Sequence, residues 1–270
     1  VTTDAHVILR ADGVSISYRD YRPDGPARAT SMLVHGLASS GLQFEQDAEY
    51  LRQQGFRVLV PDLRGHGQSG VPEGPIKPAD FSIAVLAADL LAVLDHAQVS
   101  RVHWVGNSLG GILALHVLGT PDVERLQSLA LFGTCFALQL PNRVGSLLPL
   151  AFLPGKSMTS GLTAWMTTAS PTGRQAVAAA IRQLNVPAAA AVASAVRSYD
   201  FCDNALRFDA PLLVLRGGRD RLVNLGLNKQ IGQFAGRPNF TRIDLPQAGH
   251  CANLDMPAPF RAALEAHWTR

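Results

Sequence analysis

The chain has 270 residues, is 47% hydrophobic and 17% charged, and carries a formal net charge of +3. So much apolar material with so little net charge excludes a disordered chain, and three cysteines are too few for a disulfide scaffold. No Lys/Arg-rich block accompanies the small cationic excess, so a nucleic-acid partner is not expected.

In chain order, Val7–Arg10 and Ser15–Tyr21 are predicted as strands joined at the Asp12-Gly13 turn. Ser31–Val34 is a short apolar strand ending at His35-Gly36, and Phe44–Gln54 a helix stopped by Gly55. Arg57–Pro61 reads as a buried strand. Ile83, Leu86, Leu90, Leu91 and Leu94 then recur at helical spacing over Ser82–His96, with Ser82 as N-cap. Val102–Gly106 is a strand, Leu109–Leu118 a helix and Leu126–Gly133 a strand. Pro211–Arg216, a helix over Leu225–Phe234, Asn239–Leu245 and a helix over Pro257–Trp268 complete the alternation. Strands separated by helices predict a mostly parallel sheet with right-handed crossovers and an antiparallel pair at one edge.

Thr134 to Arg207 breaks this rhythm. It is rich in Ala, Leu, Thr and Ser, with helical stretches near Gly161–Thr168, Gly173–Leu184 and Pro187–Ser198. The expected organisation is a core of residues 1–133 and 208–270 with a helical cap inserted at 134–207. No apolar run approaches the roughly 18 residues of a membrane span, and the longest, Leu147–Pro154, contains two prolines. The start, Val1-Thr2-Thr3-Asp4, lacks a signal-peptide pattern. Cys135, Cys202 and Cys251 share no metal-like spacing and read as free thiols, which predicts a cytoplasmic protein.

The sharpest feature is Gly106-Asn107-Ser108-Leu109-Gly110-Gly111, set between an apolar strand and an apolar helix. This is a G-x-S-x-G turn in the strand–turn–helix setting that exposes a serine Oγ at the sheet edge. Gly106 and Gly110 permit the tight turn, and the Leu109 amide at the helix N-terminus is suited to an oxyanion. A serine nucleophile needs a base and an orienting acid, in the order Ser, acid, His for this setting. Asp220 and His250 each follow a strand's carboxyl end, so they emerge on the same edge as Ser108. Asp244 and Asp255 are weaker rivals for the acid. The loop His35-Gly36-Leu37 should supply the second oxyanion amide, from Leu37, with His35 orienting the loop. His6, His96, His103, His116 and His267 belong to no such constellation and read as surface or packing residues.

With Asp62-Leu63-Arg64-Gly65-His66-Gly67-Gln68-Ser69 added to these segments, the chain resembles the α/β-hydrolase superfamily over essentially its whole length. The resemblance implies a structural role for His66. The tail Gly249 to Pro257 is similar to 3-oxoadipate enol-lactonase-like proteins, and the Ser108 elbow to meta-cleavage C–C hydrolases, although Cys251 stands where those often carry an aromatic residue. Ser108 argues against dehalogenases and epoxide hydrolases, which place Asp there. The expected activity is cleavage of a carboxylic ester or lactone through Ser108, His250 and Asp220, with no metal and no organic cofactor. The alternatives are a C–C bond hydrolase, a slow-turnover hydrolase-fold receptor and a ligand carrier. Leu138, Leu140, Leu147, Leu148, Phe152, Leu153, Met158, Leu162, Trp165 and Met166 give the insertion apolar surface for substrate or core. The insertion also holds six cations (Arg143, Lys156, Arg174, Arg182, Arg197, Arg207) against Asp200 and Asp203, a net +4, while the rest of the chain sums to −1. One of these arginines is a candidate partner for a substrate carboxylate. Cys251, beside His250, is a candidate site of thiol sensitivity.

Overall fold

The computed structural model describes residues 3–141 and 156–269. Leu147, Leu148, Phe152, Leu153, Arg143 and the run Leu147–Pro154 lie outside the described residues. Eight strands form one sheet: β1 (Thr3–Leu9), β2 (Ser15–Tyr21), β3 (Thr30–Val34), β4 (Arg57–Pro61), β5 (Val102–Asn107), β6 (Leu126–Phe132), β9 (Leu212–Gly217) and β10 (Phe240–Leu245). Their order is β1-β2-β4-β3-β5-β6-β9-β10. β1 and β2 pair antiparallel, β2 is antiparallel to β4, and every other pairing is parallel. The expected α/β architecture with an antiparallel edge is therefore present. The edge strand starts at Thr3, before its predicted start; its exposed Val7 and Leu9 carry no burial pattern to mark its limits.

Side-chain alternation builds two cores, one on each face of the sheet. Met32, Val34, Leu59, Trp104, Leu129, Leu131 and Val214 face helices α2 (Ile83–His96) and α3 (Leu109–Val117). Leu33, Val58, Val60, Val105, Phe132, Leu213 and Leu215 face α1 (Glu45–Gln53) and α9 (Pro257–Trp268). Ser82 caps α2 as expected, its Oγ accepting from the Val85 amide at 3.3 Å. The predicted helix over Leu225–Phe234 is instead α8 (Asn224–Gln230) followed by a 3₁₀ turn, Ile231–Phe234. The histidines outside the constellation mostly pack: His6 stacks on Tyr18, His103 on Trp268, and His116 lies against Phe201.

Between β6 and β9 the described residues add no strand to the main sheet. Helices there include α4 (Lys156–Thr167), α5 (Pro171–Gln183) and α6 (Val186–Ala195). The side chains of Ser170 and Asn185 cap α5 and α6 by accepting from Gly173 and Ala188. The alanine run of α6 is more than a helix former: Ala188, Ala189 and Ala191 are buried, with Ala188 against Gly65. A small antiparallel ribbon, β7 (Ala137–Gln139) with β8 (Ser198–Asp200), ties the two ends of this segment together ahead of a short helix α7 (Cys202–Arg207). Its three-residue strands are too short to show a sequence period. Among the described residues, no single helix is long and apolar enough to cross a membrane.

Candidate active site

The chain reverses direction across the sheet at β3, which lies between β4 and β5. Such a switch point leaves a crevice at the strands' carboxyl ends. Two loops meet there, the one after β3 and the one after β5. They approach so closely that a Cβ on Gly36 would lie 3.0 Å from the Ser108 Cβ. Ser108 sits at φ 50°, ψ −112°, a left-handed conformation forced on a non-glycine residue. Four hydrogen bonds hold it there. Its amide donates to the Phe132 carbonyl at 3.0 Å, its carbonyl accepts from Gly111 and Ile112 at 3.0 Å each, and it also accepts from Thr134 Oγ1 at 3.1 Å. Gly110 passes the β3 backbone so tightly that a Cβ would come within 2.2 Å of the Val34 carbonyl oxygen. Leu109 is the first residue of α3, so its amide has no acceptor within the helix.

His35 holds the Leu37 loop. The Leu63 amide donates to His35 Nε2 at 3.0 Å, which puts the ring proton on Nδ1, and Nδ1 donates to the Gly36 carbonyl at 2.8 Å. The ring is fully buried, and burial pushes its pKa down. Behind it, burial and the neighbouring His35 push His66 down to about 4. Asp62 braces the same loop, accepting from the Gly41 amide at 2.7 Å and the Gln68 amide at 2.9 Å. This is the supporting role expected for Asp62–Ser69.

These neutral, buried rings make a pH prediction. A histidine held near 4 when folded and near 6.5 when unfolded contributes stability above pH 6.5 and loses it as pH falls toward 4. His66 alone is worth roughly 3 kcal/mol across that window. His103, also pushed down to about 4 by burial, adds to it. The thermal midpoint is expected to drop by about 5 °C or more between pH 7 and pH 5. A midpoint that stays level over that range would show that these rings titrate as free histidines.

His250 and Asp220 come together from the ends of β10 and β9. His250 Nδ1 lies 2.9 Å from Asp220 Oδ2, and Asp220 Oδ1 accepts from the Leu222 amide at 2.9 Å and the Val223 amide at 3.3 Å. Burial opposes ionisation of Asp220, but the His250 contact and the two amides outweigh it and hold the carboxyl below its ordinary value. The rivals are engaged elsewhere: Asp244 is an exposed partner of Arg242 and Arg216, and Asp255 serves the adjoining loop. The imidazole lies beside Gly133, where a Cβ would sit 3.0 Å from His250 Cε1 and 2.8 Å from Asn107 Nδ2 of the Ser108 turn. Phe132, which holds the Ser108 amide, is the residue before Gly133. A cavity of about 230 Å³ opens at this point, bounded by Leu37, Ser108, Leu109 and Gly133 on one side and by Leu138, Leu140, Val196 and Tyr199 on the other.

A buried amide network at the site escaped the sequence reading. Asn107 Nδ2 donates to the carbonyls of His250 and Phe132 at 3.1 and 3.2 Å, and its Oδ1 accepts from Gln43 Nε2 at 3.1 Å. Gln43 also donates to Asn253 Oδ1, and Asn253 donates back to the Gln43 carbonyl and to Asp47. Asn107 occupies the variable position of G-x-S-x-G, so no motif marks it. The Cys251 thiol, a candidate for thiol sensitivity, is buried, and burial, followed by Asp255 and Asp220, pushes its pKa up, which disfavours the reactive thiolate.

Asp255 joins the His250 loop to the inserted helices. Its Oδ2 accepts from the Gly249 amide at 2.7 Å, and its Oδ1 accepts from Thr168 Oγ1, the Ala169 amide and the Ser170 amide at 2.5, 2.8 and 2.9 Å. The Cys251 amide donates to the Thr167 carbonyl at 3.1 Å. Asp255→Ala is expected to lower kcat/KM on the order of 10- to 100-fold through misplacement of His250, and to speed limited proteolysis within residues 156–183. Unchanged kcat/KM together with unchanged proteolysis would deny Asp255 this positioning role.

A family profile described as "Serine aminopeptidase, S33" matches residues 25–256. The chain belongs to this family. The S33-family chain is 27% identical to RutD of Pseudomonas syringae pv. syringae (strain B728a), named for carbamate hydrolysis, over 88% of this chain and 92% of that protein. It is 26% identical to 3-oxoadipate enol-lactonase 2 of Acinetobacter baylyi (strain ATCC 33305 / BD413 / ADP1), over 96% of this chain and 94% of the relative. The enol-lactonase structure from Burkholderia xenovorans LB400 superposes with a TM-score of 0.84 at 21% identity, covering 98% of this chain and all (100%) of that one. This S33-family member is thus a hydrolase with the α/β-hydrolase fold.

Proposed function

We propose that this hydrolase cleaves a carboxylic ester or lactone of a small molecule through a Ser108 acyl-enzyme. The observation that carries this reading is the strained Ser108 turn at the floor of a small cavity, beside a His250–Asp220 pair. In the proposed cycle His250 takes the Ser108 proton and Ser108 attacks the carbonyl. The amides of Leu37 and Leu109 hold the oxyanion, each worth about 2.7–4 kcal/mol. Asp220 keeps the His250 proton on Nδ1 and stabilises the imidazolium. Water activated by His250 then releases the acyl group. The cycle as drawn uses no metal and no organic cofactor.

Residues 134–207 serve in this reading as a cap over the core of 1–133 and 208–270. Support comes from the ribbon that ties its ends and from the cavity walls, which both parts supply. The walls favour an ester over a peptide with a free amino terminus. They are apolar apart from Ser108, Thr134, Tyr199 and Cys135, none of the described walls is a carboxylate that could hold an ammonium, and Asp220 behind Leu222 and Val223 is engaged by His250. The arginines of an adjoining groove favour a substrate bearing a carboxylate. The three cysteines are free, which supports a reducing compartment such as the cytoplasm.

A substrate panel tests the reading: nitrophenyl esters of rising chain length, several lactones, a carbamate, an aminoacyl amide and a vinylogous diketo acid. Ester or lactone turnover well above roughly 1 s⁻¹ is expected. Cleavage of the diketo acid or the aminoacyl amide alone would overturn it, and slow turnover of every compound would favour a receptor.

A further inference from the structure

A second groove lies on the outer side of Leu222. Its volume is about 290 Å³, and its walls include Trp165, Met166, Arg174, Arg219, Arg221 and Leu222. Leu222 is also a wall of the Ser108 cavity, so the two spaces share a lining side chain. Gly249, next to His250, lines the groove as well, and Arg219 and Arg221 flank Asp220 in sequence. The groove therefore runs along the outside of the candidate catalytic pair.

Its chemistry is unusual for a protein surface. Trp165, Met166 and Leu222 are about half exposed or more, at 60%, 49% and 49%. Three arginines share the space, and no carboxylate is among its walls. Arg174 Nε donates to the Thr168 carbonyl at 3.3 Å, and Arg219 donates to the Gln247 side chain; both acceptors are neutral. Arg216 and Arg242, close by on β9 and β10, instead share Asp244. Asp255 lies behind Thr168, Ala169 and Gly249 of these walls with both oxygens engaged by them and by Ser170, so the guanidinium groups keep capacity for an added anion. The apolar side chains beside them suit a hydrocarbon stem. Only Arg174 comes from the inserted segment. Arg219 and Arg221 belong to the core, so the charge that matters at the site does not follow the insertion's net +4.

We infer that this groove binds the carboxylate end of the substrate while the ester carbonyl lies at Ser108 and the intervening chain crosses Leu222. The inference rests on the ester-hydrolase reading and narrows it to half-esters of dicarboxylic acids or lactones bearing a free carboxylate. Guanidinium groups grip a carboxylate through paired hydrogen bonds, and the open mouth of the groove lets the charge stay partly solvated.

The test is an affinity comparison that needs no turnover. In a Ser108→Ala background, calorimetry measures Kd for monomethyl glutarate and monomethyl suberate against methyl pentanoate and methyl octanoate. The half-esters are expected to bind on the order of tenfold more tightly, with the advantage shrinking in high salt. Arg174→Gln with Arg221→Gln should remove that advantage, and Arg174→Lys with Arg221→Lys should restore most of it. Equal affinities, no measurable binding of the half-esters, or an advantage that survives the double Gln variant would overturn the inference. Turnover of the neutral esters by the chain with Ser108 intact is a separate readout. Its failure would sink the ester-hydrolase reading and leave the affinity comparison standing.

Discussion

Ser108→Ala is expected to lower kcat at least about 10⁴-fold on any ester the protein turns over, with the fold intact. The two halves of that expectation have different causes. Loss of rate follows from the chemistry: the neighbouring Thr134 hydroxyl is engaged by the Ser108 and Phe132 carbonyls, and water must then attack without a covalent intermediate. Retention of the fold follows from the geometry. The Ser108 backbone is held by its bonds to Phe132, Gly111, Ile112 and Thr134, none of which uses the Oγ. Alanine keeps the Cβ and the same strain at φ 50°. Ser108→Gly separates the two further. Glycine relieves the left-handed strain, so this variant should be equally inactive yet more stable than Ser108→Ala, on the order of 1 kcal/mol. Chemical denaturation of both variants, with kcat on a nitrophenyl ester, checks the pair. A Ser108→Ala protein that kept a tenth of its activity would show that Ser108 is not the nucleophile.

Most of the sheet and its flanking helices were legible because each is built on a period that burial imposes. Met32, Leu33 and Val34 alternate between the two cores, and Leu86, Leu90, Val93 and Leu94 line one face of α2. The placement of Ser108, Asp220 and His250 on one edge was legible because each follows a strand end, and the topology then brings strand ends together. The groups that brace the site were not. Asn107, Gln43 and Asn253 lie far apart in sequence, and an amide network has no period and no spacing rule. The ribbon that closes the insertion is too short for alternation, and the alanines of α6 report close packing that composition cannot separate from helix propensity. Charge was a coarser guide. A net sum over residues 134–207 says nothing of which arginines face the site, and the groove gathers Arg174 from the insertion with Arg219 and Arg221 from the core.

Asp220→Asn is expected to cost about 10⁴-fold in kcat while leaving the loop in place. Asparagine has the carboxylate's shape, and its carbonyl oxygen can go on accepting from the Leu222 and Val223 amides, as Asp220 Oδ1 does. That choice turns its NH₂ toward His250 Nδ1, 2.9 Å from the present Oδ2. A donor facing Nδ1 requires Nδ1 to be the acceptor, so the ring proton moves to Nε2. The nitrogen that should take the Ser108 proton is then already occupied. Stability carries a second signature. The Asp220 carboxyl is held below its ordinary value, so its contribution is present at neutral pH and is lost only as pH falls through the folded value, below about 4. The Asn variant should therefore be less stable than its parent at pH 7, and the difference should close in strong acid. Asp244→Asn is the control: Asp244 is exposed and paired with Arg242 and Arg216, and its loss should leave kcat unchanged. If Asp220→Asn kept near-parental kcat while Asp244→Asn or Asp255→Asn lost it, the orienting acid would have to be reassigned. If no single carboxylate mattered, His250 would be working unoriented, at odds with the contact that holds its Nδ1 to a buried carboxylate.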